Sequence, residues 1–314
     1  MPLILKSNPE LHSIRKEIDL FWVSMAYISA IVGAGVALPY LNHVHPLMQL
    51  LLVDVTATVI IYFFSLGFNN SSMYDAYWSV APPLLFMFWY GQGDSGLLAQ
   101  TPPHALVRAG IVFMLISFWA WRLTYNWARS WRGFQHEDFR YVSMRLKFKK
   151  AYWPVSFLAL HLIPTLFVFM ASTPFQAIFS PSRSGHYLNF LDGIAIILTM
   201  GGILLETIAD DQLFMAGISG SRSPDSTFQK GLWNISRHPN YLGEISFWWG
   251  IFLFGMASSP DFWWTFSGAL GITLLIVLVS IPLMENRQLA RKKDYQEYRK
   301  RVPMLFPFRS SNGG

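Results

Sequence analysis

The sequence contains no cysteine among its 314 residues. Disulfides, thiolate metal sites and thiol nucleophiles are therefore excluded. Charge is scarce as well: Asp, Glu, Lys and Arg make up 13% of the chain, against 53% hydrophobic and 17% aromatic residues. That balance is far from a soluble composition. There is no Walker loop, HExxH pair, nucleophile elbow or Gly-x-Gly-x-x-Gly turn, so a dinucleotide would not be held by a Rossmann turn. No inverted repeat supports a transporter, and the polar residues gather toward one face, not at mid-span. No metal site is assigned.

What is present is a succession of apolar runs near the length of a bilayer core. They predict an all-α, polytopic membrane protein with about eight spans, near residues 20–41, 47–68, 79–90, 105–127, 151–172, 187–205, 241–256 and 262–284. The third is short and begins at Pro82 and Pro83, so it is expected to be broken or tilted. The sixth should continue as helix through Glu206, Asp210, Asp211 and Gln212. The stretches Gly91 to Pro103, Thr173 to Gly185 and Gly217 to Lys230 read as loops. Met1 to Asp19 is polar, and the run that follows is too long for a signal peptide.

The net charge of +6 raises nucleic acid as a partner, but the basic residues sit in short loops between apolar runs, as membrane topology requires. Seven fall between residues 129 and 150, three are Arg222, Lys230 and Arg237, and eight lie from Arg287 onward. The loops after the first, fifth and seventh spans hold Arg183 alone. Both termini are thus expected in the cytoplasm, with an even number of spans. A bacterial inner membrane and the endoplasmic reticulum obey the same rule, and either fits. The polar clusters then fall on the cytoplasmic face. A large cofactor could reach them there, and an apolar lipid substrate could enter from the bilayer.

The stretch from Gly231 to Glu244 concentrates the chemistry. Arg237, His238, Asn240 and Glu244 lie where an apolar helix begins, and ionisable groups near hydrocarbon are usually functional. Pro239 suits a first helical turn, whose free amides favour an anion. The local reading is a pocket for a phosphate- or carboxylate-bearing ligand; the plainer one is a junction with interfacial charges. Glu206 and Asp210 share a helix face, as a carboxylate pair or as a solvated helix end. Asp138, Arg140 and Tyr141 read as an interfacial ion pair or, with Arg132, as a grip on a diphosphate. Arg122 sits inside an aromatic span with Tyr125 nearby. Glu285 and Arg287 read as interfacial anchors, and His161 as a packing histidine. His43 and His45 are assigned no role.

At Ser236-Arg-His-Pro-Asn-Tyr-Leu-Gly-Glu244 the chain resembles the steroid 5-alpha-reductase superfamily, in its branch of uncharacterised membrane proteins that share the C-terminal domain. Other blocks carrying the likeness are Tyr74 to Pro82, Arg122 to Trp127 with Glu137 to Tyr141, Glu206 to Gln212, and Glu285-Asn-Arg287 with Tyr298 and Pro307-Phe308. The resemblance implies a seven-helix reductase-like domain over residues 47–308. Residues 1–46 would then be a lead-in and an extra transmembrane helix, and 309–314 a disordered tail. It implies an NADPH-dependent reductase acting on a conjugated C=C of a steroid-like or other lipid enone.

By match to the family motif, Asn240, Tyr241 and Glu244 would meet the nicotinamide end. Asp210 and Arg287 would contribute to the cofactor site, with His238, Arg237, Arg140, Asp138 and Arg122 around them. The family holds the substrate carbonyl with a carboxylate and a tyrosine. Asp75 is the candidate carboxylate, and Tyr77 or Tyr125 the tyrosine. Two departures stand out: no Arg or Lys follows Asp210-Asp-Gln212 within two turns, and an Asp stands in place of a Glu. The segment from Arg237 to Gly243, with Glu285, also resembles the isoprenylcysteine carboxyl methyltransferases, which implies S-adenosylmethionine as the alternative cofactor. A lipid-binding protein without turnover is the third reading.

Overall fold

Proline opens several of the long helices. Pro46 and Pro239 sit in first turns, and Pro103 is itself the first residue of a 28-residue helix. A first-turn proline loses no hydrogen bond, and its fixed φ already suits the helix. Side chains cap other starts. His45 Nδ1 accepts from the Leu47 amide at 3.2 Å. Asn189 and Asp192 form a reciprocal capping box at the start of a 29-residue helix.

The computed structural model describes residues 9–91, 103–179, 188–220 and 225–306. No strand occurs among them. The helices are α1 (Pro9–Ala37), α2 (Pro46–Gly67), α3 (Tyr77–Gly91), α4 (Pro103–Ser130) and α5 (Phe139–Phe148). Next come α6 (152–172), α7 (Pro174–Phe179), α8 (Phe190–Ile218), α9 (Pro239–Ser258), α10 (266–291) and α11 (Tyr295–Arg301). Both α6 and α10 contain a π-helical stretch, Phe157–Leu162 and Ile276–Ser280. Short 3-10 turns include Ser71–Tyr74 and Gly231–Asn234.

Six helical stretches among the described residues are long and apolar enough to cross a bilayer: Arg15–Leu41, Pro46–Gly67, Leu106–Ser130, Phe139–Phe179, Phe190–Ile218 and Pro260–Arg291. The chain is a polytopic helical membrane protein. The expected spans at 79–90 and 241–256 are helical but fall outside that set. Helix α3 has 15 residues, about 22 Å at 1.5 Å per residue, short of a hydrocarbon core about 30 Å thick. Helix α9 is 20 residues long, carries Asn240 and Glu244, and has 12 of its residues buried against protein.

The structure corrects two loop boundaries. Residues expected in a loop from Thr173 form α7 instead, with Pro174 at its start. Helix α8 runs to Ile218, past the expected start of a loop at Gly217. The expected tail at 309–314 and Pro307-Phe308, most of the loop after Gly91, and Arg222 lie outside the described residues.

The chain divides into two compact units, Met1–Phe88 with Ala120–Phe169 and Trp89–Trp119 with Met170–Gly314. In the first, α1 packs on α2, and Tyr27 on α1 donates to the Met73 carbonyl at 3.0 Å. In the second, α8 and α9 pack along most of their length. Glycines permit this approach: a Cβ on Gly243 would sit 2.6 Å from the Gly202 carbonyl oxygen, and one on Gly202 would sit 2.5 Å from that of Gly243.

Candidate functional site

In the first unit, α1, α2 and α3 line a cavity of about 240 Å³. Its walls are mostly apolar, with the small Ala30, Ala34, Ala57 and Ala81 among Leu50, Ile61 and Leu85. Three side chains with polar groups line it, Tyr27 of α1, Asp54 of α2 and Tyr77 of α3. The Tyr77 hydroxyl donates to Asp54 Oδ1 and lies 3.0 Å from the Asp54 carbonyl oxygen. Asp54 is 4% exposed, and its Oδ2 has no hydrogen-bond partner. A buried carboxylate oxygen without a partner is costly unless a ligand satisfies it. The Tyr74 and Tyr77 rings stack at 4.7 Å and 16°, which holds the Tyr77 hydroxyl in place.

Tyr77 is one of the two tyrosines expected at a substrate carbonyl. The other, Tyr125, is 54% exposed, stacked on Trp121, with the Arg129 guanidinium 5.6 Å from its ring centre. Asp75, the expected carboxylate, does not line the cavity. It takes a hydrogen bond from Tyr141. Burial pushes its carboxyl up to about 6, although the Arg140 charge and the Tyr141 hydroxyl pull it down. The carboxylate paired with Tyr77 is Asp54, which the sequence reading passed over. Its signal was a lone acid in the middle of the apolar run from Leu47 to Phe68, with Thr58 one turn on.

Around the end of α2, polar contacts are tightly matched. Asp138 caps α5 through the Arg140 amide at 2.9 Å, and Arg140 Nε returns to Asp138 Oδ1 at 2.7 Å. Arg140 is thus committed to a local, half-exposed pair. Arg122 is buried. Arg145 pairs with Glu137 at 2.7 Å and lies over the Tyr152 ring at 4.1 Å.

In the second unit, the Gly231–Glu244 stretch is organised around Glu285 of α10. Glu285 is 4% exposed and meets two arginines and a histidine: Arg237 Nε at 2.8 Å, Arg299 Nε at 3.0 Å and His238 Nε2 at 3.1 Å. The Arg237 guanidinium also donates to the carbonyls of Arg299 and Val302, at 2.6 and 3.1 Å. Tyr298 donates to the Trp233 carbonyl at 2.5 Å. Arg237 and His238, expected at an anion, therefore bind the C-terminal segment to the start of α9. His238 stacks on Tyr241 at 5.5 Å and 18°.

Asn240 Nδ2 donates to Asp210 Oδ1 of α8 at 3.4 Å. Asn240 Oδ1 is buried without a partner. Glu244, deeper in α9, accepts from Trp119 Nε1 at 3.0 Å and Trp248 Nε1 at 2.9 Å. Both its oxygens are engaged by indoles, and Trp119 stacks on Phe247 at 4.4 Å. Arg287 is half-buried on α10. Among the described residues, open hydrogen-bonding capacity here includes the Asn240 carbonyl, which suits a ligand with an amide N–H group.

An apolar cavity with an acid–phenol pair in one unit, and an amide–carboxylate pair at a helix start in the other, define a helical membrane protein with two chemically distinct polar centres. Residues 61–302 match the DUF1295 family of proteins of unknown function, and the chain belongs to that family. It is similar to the Uncharacterized protein C594.04c of Schizosaccharomyces pombe, at 26% identity over 262 residues, covering 76% of this chain and 73% of that one. No solved structure matches.

Proposed function

We propose that the chain is an NADPH-dependent reductase of a conjugated C=C in an apolar lipid enone, working within the membrane, with the Asn240 centre on the cytoplasmic side. The observation that carries this reading is the Tyr77–Asp54 pair facing an apolar cavity. A lipid carbonyl in that cavity would take the Tyr77 proton as its hydrogen-bond partner. To make that bond, the Tyr77 hydroxyl would turn its one proton from Asp54 Oδ1 to the carbonyl oxygen. As the double bond is reduced, charge develops on that oxygen, and a donor already in place stabilises it. The apolar walls exclude water, which strengthens the effect.

Asn240 supplies support for the cofactor. Its unpartnered carbonyl fits the carboxamide N–H of a nicotinamide, and Asp210 fixes the Asn240 side chain from the other end. When bound, NADPH supplies the hydride that goes to the β carbon of the enone, and the chain supplies the proton for the α carbon. Tyr241, Glu244, Arg287, Asp138, Arg140 and Arg122 remain proposed cofactor contacts. In the structure Glu244 positions the α9 start through two tryptophans, and Arg237 and His238 act through Glu285.

The tie between Glu285, Arg237 and His238 also suits the S-adenosylmethionine reading, since these are the residues shared with the methyltransferases. Thermal unfolding of the detergent-held protein with NADPH, NADH or S-adenosylmethionine separates the two. At 100 times its dissociation constant, the true cofactor adds about 2.7 kcal/mol. A shift with NADPH that Asn240→Ala removes supports the reductase. A shift with S-adenosylmethionine alone overturns it. With an enone lipid as substrate, Tyr77→Phe is expected to lower kcat by roughly 10²–10³ while leaving the NADPH shift intact.

A further inference from the structure

The size and shape of the cavity in the first unit limit what it can hold. Its lining takes in Tyr27 to Leu38 on α1, Leu50 to Ile61 on α2 and Tyr77 to Phe88 on α3. Each stretch advances about 16 Å of helix at 1.5 Å per residue. A volume of about 240 Å³ spread along that length makes a slender space. It is also a small one. An apolar cavity of about 150 Å³ holds a single benzene ring, and pockets for drug-sized ligands begin at about 300 Å³. Four fused rings need several times the room of one, so a sterol skeleton does not fit within these walls. Protein interiors leave few voids larger than a water molecule. A space this large, with four alanines in its wall, is kept for an occupant.

Ile31 and Leu84 line the cavity and are also exposed, and α1 is one of the helices of membrane length. An apolar chain lying in the bilayer therefore has a way in without crossing water. The polar part of the lining is confined. Tyr27 donates to the Met73 carbonyl at 3.0 Å and Tyr77 donates to Asp54, so both phenol protons are held by the protein until a ligand draws the Tyr77 proton away. Asp54 sits between Leu50 and Ile61 along α2, and apolar wall continues past it in both directions. Among the described residues, no Lys, Arg or His lines the cavity. A phosphate or carboxylate headgroup would lie there without a counter-charge, which is costly away from water.

We propose that the ligand of this cavity is a single-chain lipid with a ketone carbonyl within the chain and apolar carbon on both sides of it. The carbonyl meets Tyr77, one arm fills the space toward Leu50 and the other the space toward Ile61. Excess length leaves past Ile31 and Leu84 into the bilayer. Volume excludes fused-ring lipids, and the missing counter-charge excludes lipids that would place a charged headgroup inside. The inference deepens the reduction proposed above by naming its substrate class, and rests on that reading for the carbonyl and the double bond.

The test uses the full chain in nanodiscs without cofactor and a straight-chain enone, its ketone in mid-chain, that carries a photoreactive diazirine. Mass spectrometry of the labelled peptides locates it, and labelling is expected within residues 27–38, 50–61 and 77–88. The unlabelled mid-chain enone is expected to displace the probe at least about tenfold more tightly than a four-ring steroid enone or a fatty acid of the same length, a difference of roughly 1.4 kcal/mol. Ala57→Phe and Ala34→Leu, which fill the cavity from α2 and α1, should each weaken labelling by about tenfold or more. Leu85→Ala, which widens it, should narrow the gap between chain and steroid. Thermal unfolding checks that each variant is folded. Labelling elsewhere, steroid binding as tight as that of the chain, or unchanged labelling in the folded Ala57→Phe and Ala34→Leu variants would each overturn the assignment. With NADPH added, a chain enone that fills the cavity and is not reduced supports this ligand and removes the reductase reading. A steroid enone reduced in preference to the chain keeps the reductase reading and overturns this ligand.

Discussion

Arg108 and Asp192 are joined by two parallel hydrogen bonds, Nε to Oδ1 at 2.7 Å and Nη2 to Oδ2 at 2.8 Å, and neither side chain is exposed. Asp192 also accepts from the Asn189 amide at 2.8 Å, so the pair anchors the start of α8 to α4. Breaking a buried pair leaves one charge uncompensated. Asp192→Asn or Arg108→Met is expected to cost about 3–5 kcal/mol, and the double change to Met and Leu distinctly less. Unfolding by denaturant in a fixed detergent measures all three, and additive single effects would contradict the coupling.

Gly243→Ala should weaken the contact between α8 and α9. Its Cβ would meet the Gly202 carbonyl oxygen at 2.6 Å and Glu206 Cβ at 2.8 Å, and backbone cannot yield cheaply. A loss of about 1–3 kcal/mol is expected. Gly201, with nothing within 4 Å of a built Cβ, provides the control, and Gly201→Ala should be tolerated. Thermal unfolding of the two variants side by side gives the comparison.

Asp75 should make stability depend on pH. Burial raises its carboxyl from 3.8 to about 6, so the folded chain binds more protons than the unfolded chain between those values. Its contribution is therefore most favourable below pH 4, falls as pH rises to about 6, and is flat above. Asp75→Asn removes that fall. The variant should gain about 2–3 kcal/mol over wild type between pH 4 and pH 7, read from unfolding midpoints across that range.

Glu285→Gln should loosen the C-terminal segment. Arg237, His238 and Arg299 lose their common partner, the first two largely buried with it and Arg299 half-exposed. After discounting the exposed partner, a loss of about 2–3 kcal/mol is expected. Trypsin cleavage at Arg299 to Arg301 should appear at lower protease concentration than in wild type. An unchanged digestion pattern would argue that Tyr298 and Asp294, which holds the Thr227 amide and hydroxyl, are sufficient by themselves.

Much of the fold was legible in the residue pattern. Apolar runs of bilayer length marked six of the helices that qualify as spans, because lipid requires an unbroken apolar surface. The prolines at 46, 103 and 239 marked helix starts. The candidate sites were less legible. Arg237 and His238 looked like anion ligands, since their partner Glu285 lies 47 residues away from His238 in sequence. Asp54 was hidden because its partner Tyr77 belongs to another helix, 23 residues on.

By itself, the sequence determined a cysteine-free helical membrane protein and the identities of its polar residues. Helix formation in lipid is a local matter, settled by each segment's own apolarity and backbone bonding. Only the tertiary structure decided which buried polar groups satisfy one another. It paired Tyr77 with Asp54, closed Arg237 and His238 on Glu285, and left Asn240 Oδ1 and Asp54 Oδ2 open. Those outcomes depend on how helices distant in sequence meet, and a buried polar atom must find its partner, or go without one, in three dimensions.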